Sequence, residues 1–172
     1  MVMTIITRIN WNPPKNLPVK QVYGICFNKH WQILLRIENW KYKLTWWKPD
    51  FNDKNFNETL KREFIEEINT KISEPYIVGY QLIDEENWTQ KYAQIRMTAL
   101  IENIWEAKPD TDKDQKRVYG RYLTSPKNTA KLLNRWKVGY NQIQEACKIA
   151  KQKFWIQRKN IPDNLINEES CN

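Results

Sequence analysis

The chain has 172 residues, enough for one domain with a sizeable core, and 41% hydrophobic with 28% charged residues is the balance of an ordinary soluble globule. A net charge of +8 and a pI near 9.3 favour anionic partners: nucleotides, nucleic acid or acidic surfaces. Composition and patterning exclude several classes. No apolar run approaches the ~18 residues that span a membrane, and Met1 to Ile9 lacks signal-peptide architecture. Cys26, Cys147 and Cys171 are odd in number with no C-x-x-C spacing, which argues against a disulfide framework or zinc site and for a reducing compartment, the cytoplasm.

In chain order, residues 1–18 carry Pro13, Pro14 and Pro18 and read as an extended arm or covering strand. Lys20 to Phe27 alternates and is rich in Val, Tyr and Ile, so it reads as a strand. Asn28 to Trp31 is a turn, which makes His30, the lone histidine, a turn residue rather than a catalyst. Gln32 to Ile37 is a second strand, and Asn39-Trp40 turns into a third over Tyr42 to Trp46. Phe56, Leu60, Phe64 and Ile68 recur every fourth residue and form one face of a helix. Asn55 with Glu58 resembles a capping box that starts this helix near Phe56. Pro75 to Ile83 is a strand, Asp84 to Gln90 a polar turn, and Tyr92 to Ile104 a long apolar strand placed centrally in a sheet.

Ala107 to Lys116 is a charged loop. Its DTDKDQ run lacks the Gly and closing Glu of a calcium loop, so it reads as solvated. Val118 to Leu123 is a further strand. Ser125-Pro126 opens a helix through Leu133, and a second runs from about Val138 to Trp155 with Tyr140, Ile143, Cys147, Ala150 and Phe154 on its core face. One domain over 1–155 and a polar, frayed tail over 156–172 complete the reading.

The chemistry-bearing stretch is Arg62-Glu63-Phe64-Ile65-Glu66-Glu67. On a helix its three glutamates fall within a ~100° arc beside the apolar stripe. Such like charges repel by a few tenths of a kcal/mol per pair. A solvated acidic face with Arg62 pairing to Glu66 is one outcome. A hard divalent cation is the other, since Mg²⁺ and Mn²⁺ favour oxygen ligands.

This stretch resembles the signature of the Nudix hydrolases, G-x5-E-x7-R-E-U-x-E-E-x-G-U. Arg62, Glu63, Glu66 and Glu67 match its core, Phe64 takes the bulky position, and Asn69 stands for the Gly that ends the helix. The N-terminal half departs: Thr45-Trp46-Trp47 stands where the family reads Pro-Gly-Gly. Counting forward from Trp47 reaches Asp53 at the place of the first Glu, whereas counting back from Arg62 reaches Lys54.

The resemblance implies a Nudix-like α/β/α sandwich with a mixed β-sheet, of class α/β (α+β). It implies hydrolysis of a nucleoside diphosphate linked to another moiety, with Mg²⁺ or Mn²⁺ held by Glu63, Glu66, Glu67 and Asp53. The catalytic residues it implies are Glu66, Glu67 and Arg62: Glu66 ligates a metal or takes the proton from water, family members differ in which carboxylate takes it, and Arg62 orients a motif carboxylate. Trp46 and Trp47 take the substrate-binding place, where Gly-Gly lets backbone approach the phosphate. The alternatives are a Nudix-fold module that binds nucleotide or RNA without cleaving it, and an interaction module anchored by exposed Trp.

Nine Trp and only four Gly are present, together about the Gly count expected for this length. Trp40 and Trp88 follow Asn where Asn-Gly turns are commonest, and Trp31 lies in a third turn. Either the chain is Trp-rich, or some Trp were encoded by UGA in a host that reads UGA as Gly. The abundance of Lys, Asn and Ile fits an AT-rich gene.

Overall fold

The computed structural model describes residues 3–9, 12–50, 53–85, 91–109, 117–133, 139–159 and 161–171. The expected features at Asn87-Trp88 and Asp110 to Lys116 lie outside them.

A mixed sheet organises the molecule. Its strands are β1 (Met3–Ile9), β2 (Val19–Phe27), β3 (Ile33–Glu38), β4 (Lys41–Lys43), β5 (Thr45–Trp47), β6 (Thr70–Ile72), β7 (Tyr76–Glu85), β8 (Tyr92–Ile104), β10 (Gly120–Thr124) and β11 (Asn164–Asn167). Along the main path the order is β1-β7-β8-β2-β3-β10-β11, with β4 on β3, β5 on β2 and β6 on β8. β9 (Arg117–Val118) pairs separately with β12 (Ser170–Cys171). The long apolar strand β8 is central as expected, running parallel to β2 and antiparallel to β7.

Helix α1 (Phe56–Ile68) lies on one face of the sheet. There Leu60, Phe64 and Ile68 meet Val22, Cys26, Leu34, Ile95 and Met97. Burying each large apolar side chain of that stripe contributes ~1.5–3 kcal/mol. Helices α2 (Pro126–Leu132) and α3 (Tyr140–Phe154) cover the other face, where Ala130, Ile143, Ala146 and Ala150 meet Tyr23, Ile25, Phe27, Ile33 and Leu35. Alternation along β2 sends Val22 to one helix layer and Tyr23 to the other. α1 approaches β2 so closely that a Cβ on Gly24 would stand 2.5 Å from the Phe64 ring.

Three expectations change. The strand expected over Tyr42 to Trp46 is two, because the chain leaves β3 after Lys43 and joins β2 from Thr45. β6 went unread because three residues straight after a helix carry no usable period. The polar tail is not frayed over 164–171: β11 extends the sheet through β10, and Asp163 accepts from the Tyr122 hydroxyl (3.3 Å) and Asn128 Nδ2 (3.1 Å). Backbone pairing holds this edge, so its polar side chains did not announce it. No described helix is long and apolar enough to cross a membrane.

Candidate active site

Local rules place the acidic helix. Asn55 caps its start, with Oδ1 accepting from the Glu58 N–H at 3.0 Å, and Glu58 Oε2 accepts from the Lys54 N–H at 3.2 Å. Asn69 closes it in the left-handed conformation (φ 44°, ψ 52°), its N–H donating to the Ile65 carbonyl at 3.0 Å. The helix has no basic side chain in its last turn. Arg121 serves instead: buried, it donates through Nη1 to the carbonyls of Ile68 (3.0 Å) and Trp105 (2.7 Å), and burial lowers its pKa.

Between these caps the carboxylates divide between two arginines. Arg62 reaches Asp53 through Nε and Nη2 (both 3.2 Å) and, through Nη1, Glu63 (2.8 Å) and Glu66 (2.7 Å). Asp53 is further held by the Thr59 hydroxyl (2.7 Å) and the Asp50 N–H (3.0 Å). Asp53 therefore joins the cluster, whereas Lys54 serves the helix start. Glu67, one turn beyond Glu63, pairs with Arg36 of β3, and both are buried. Arg36 also donates to Glu38 (3.1 Å) and lies over the Tyr119 ring (4.5 Å).

Titration follows from this packing. Burial pushes Glu63 up to about 7 against the pull of Arg62, and the Glu67 charge adds to the rise. Burial also works to raise Asp53, but hydrogen bonds from Arg62 and Thr59 outweigh it and hold the group below its ordinary value. The Asp53 hydrogen bond, opposed by burial, raises Arg62. Elsewhere burial raises the thiols of Cys26 and Cys147, Cys147 to about 11, which leaves these two poor nucleophiles.

Glu63, Glu66 and Glu67 on α1, with Asp53 just before it, are oxygen donors of the kind a hard cation takes. Among the described residues, however, no three Asp, Glu, His or Cys side chains converge as a ready ligand cage. The two guanidiniums supply the positive charge that a metal would otherwise bring.

Trp46 and Trp47 lie in β5, opposite Tyr23 and Val22 of β2. Their side chains go to opposite faces. Trp47 is 4% exposed and packs on Phe64 (centroids 5.3 Å), and its buried indole N–H has no hydrogen-bond partner. Trp46 stacks on Tyr23 (6.0 Å) and lines a cavity of about 240 Å³ with Tyr42, Lys43 and Leu133.

Sequence reasoning brought together Asp53, Arg62, Glu63 and Glu66. It missed Arg36, Arg121 and Thr59. The available signal for Arg36 was a charge inside the apolar run Gln32 to Ile37.

This architecture is a Nudix-like fold: a mixed sheet between helices, with an acidic helix laid on one face. Among solved structures the chain is similar to a point mutant of the Bacillus subtilis pyrophosphohydrolase BsRppH, with a TM-score of 0.60 and 19% identity over 90% of this chain and 94% of that one. It is also similar to the E. coli ORF135 protein, with a TM-score of 0.53 and 10% identity over 83% of this chain and 98% of that one. No family model and no curated protein sequence matches. At these identities the likeness establishes the fold.

Proposed function

We propose that this chain is a metal-dependent hydrolase that cleaves the pyrophosphate bond of a nucleoside diphosphate linked to another moiety. The observation that carries the reading is that Arg62 joins Asp53, Glu63 and Glu66, with Glu67 one turn beyond Glu63 on α1, in a fold shared with a pyrophosphohydrolase.

Glu63, Glu66 and Glu67 would hold Mg²⁺ or Mn²⁺, with Asp53 as a further ligand or a support for one. The ion supplies charge neutralisation at the phosphates and lowers the pKa of water. The protein's own residues do the rest. Arg62 keeps Glu63 and Glu66 on the same side of the helix, and Asp53 with Thr59 fixes Arg62. Arg36 holds the Glu67 charge in place until it is needed. In hydrolysis a water oxygen bonds to phosphorus, the bridging P–O bond breaks, and the water's proton passes to a carboxylate. Glu66, about 30% exposed, and Glu67 are the candidates for that proton.

Release of phosphate products from a panel of nucleoside diphosphate derivatives, dependent on Mn²⁺ and lost in Glu67→Gln, is the expected result. Unchanged turnover in Glu67→Gln would remove the proposal.

One observation favours a second reading, nucleotide or RNA binding without cleavage. A cavity of about 760 Å³ beside α2 and α3 is lined by Lys127, Lys148, Lys151, Arg158 and Lys159 with no carboxylate in its wall. Such a surface fits phosphates. Salt-sensitive RNA binding with no metal-dependent turnover would select that reading.

A further inference from the structure

Five non-glycine residues among those described have positive φ: Trp31 (67°), Asn39 (51°), Trp40 (60°), Asn69 (44°) and Trp155 (55°). Asparagine tolerates this region, because its short polar side chain bonds locally. Tryptophan has no such excuse, and for a bulky residue a left-handed backbone is an outlier. Yet three of the five are Trp, while only Gly79 among the described glycines has positive φ.

Each of the three Trp sites is one where backbone geometry asks for glycine. Asn39-Trp40 forms the two-residue turn between Glu38 and Lys41, which pair directly; both turn residues have positive φ, the arrangement for which Asn-Gly is the preferred sequence. Trp31 closes the β2–β3 turn, its N–H donating to the Asn28 carbonyl at 3.2 Å, and takes the left-handed place that follows such a turn. Trp155 is the left-handed cap that ends α3, a position dominated by glycine. Packing does not explain the last of these or Trp40, which are 86% and 85% exposed.

We infer that the chain made in its own host carries glycine at positions 31, 40 and 155, through UGA codons read there as glycine. UGA neighbours both UGG, the tryptophan codon, and GGA, a glycine codon, so a single difference in the code exchanges the two residues. The same reading extends to positions 46 and 47. Trp47 buries an indole N–H without a partner against the acidic helix. Glycine at position 47 leaves the backbone of β5 bare beside α1, which is what a phosphate needs in order to approach the carboxylates.

The test is the mass of tryptic peptides from the protein isolated from its host. Peptides 30–36, 37–41, 44–54 and 154–158 each carry at least one of these positions. Each is expected at the mass with glycine at every such position; tryptophan masses would overturn the inference. A laboratory-made pair adds a physical arm. Trp40→Gly with Trp155→Gly is expected to raise the thermal midpoint, since strain is relieved and little packing is lost, and a lowered midpoint would count against the assignment. Neither measurement reads hydrolysis, so either can fail without touching the proposed activity, and the activity can fail without touching them.

Discussion

The pairing of Arg36 with Glu67 yields the sharpest prediction, because both groups are buried, at 3% and 8% exposure. Arg36→Met removes the cation and keeps most of the apolar stem. Breaking a buried pair from one side costs ~3–5 kcal/mol. Protonation limits the damage: at pH 7 Glu67 can be neutralised for ~3–4 kcal/mol, at about 1.36 kcal/mol per pH unit above its ordinary ~4.3. The expected loss is therefore about 3 kcal/mol at pH 7, or roughly 6–12 °C in thermal midpoint for a chain of this size. At pH 5 the same escape costs only about 1 kcal/mol, so the deficit should shrink. Saturating Mn²⁺ should restore part of it, since an ion at about a hundred times its Kd contributes ~2.7 kcal/mol and meets no competing guanidinium. Thermal unfolding of wild type and variant at pH 5 and 7, with chelator or with Mn²⁺, reads all of this. A variant deficit independent of both pH and Mn²⁺ would refute the reasoning.

Further outcomes follow from the neighbouring groups. Glu63 titrates near 7 when folded against an ordinary 4.5, so it binds its proton more tightly in the native state. Its contribution to stability is full below about 4.5 and is lost as pH rises through about 7, while Mn²⁺ affinity should climb over the same window because the ion needs the carboxylate. Manganese titrations at pH 6 and pH 8 should differ several-fold, and Glu63→Gln should flatten them. Asp53 has the opposite sign: its stabilisation is present above 3.8 and is lost as pH falls through its lowered folded value. Asp53→Ala should cost about 1 kcal/mol, discounted for the partial exposure of Arg62, as read by urea unfolding. Arg121→Met leaves the Ile68 and Trp105 carbonyls without that donor and should cost about 2 kcal/mol, with faster amide exchange in the last turn of α1.

What the sequence disclosed was mostly local. The Phe56-Leu60-Phe64-Ile68 spacing, the Asn55 cap and the Asn69 stop are short-range rules, and α1 runs from Phe56 to Ile68 as they require. Strand β8 was legible because thirteen apolar-rich residues admit few other homes. Arg36 was hidden because its partner lies thirty-one residues away on another element, and no periodicity reports such a pairing. Arg121 was hidden for the same reason, and β11 because an edge strand is held by backbone groups that every residue carries. Trp46 was read as the end of a strand, and β2 pairs with Trp47 as well and sends the two side chains apart.

Binding of divalent ions by the α1 carboxylates is tested most directly by counting Mn²⁺ with electron paramagnetic resonance. Wild-type protein at pH 8 should take up Mn²⁺ with tight affinity, and the triple variant Glu63→Gln, Glu66→Gln, Glu67→Gln should take up none at the same concentration. Equal uptake by both proteins would place any bound ion elsewhere and contradict the assignment.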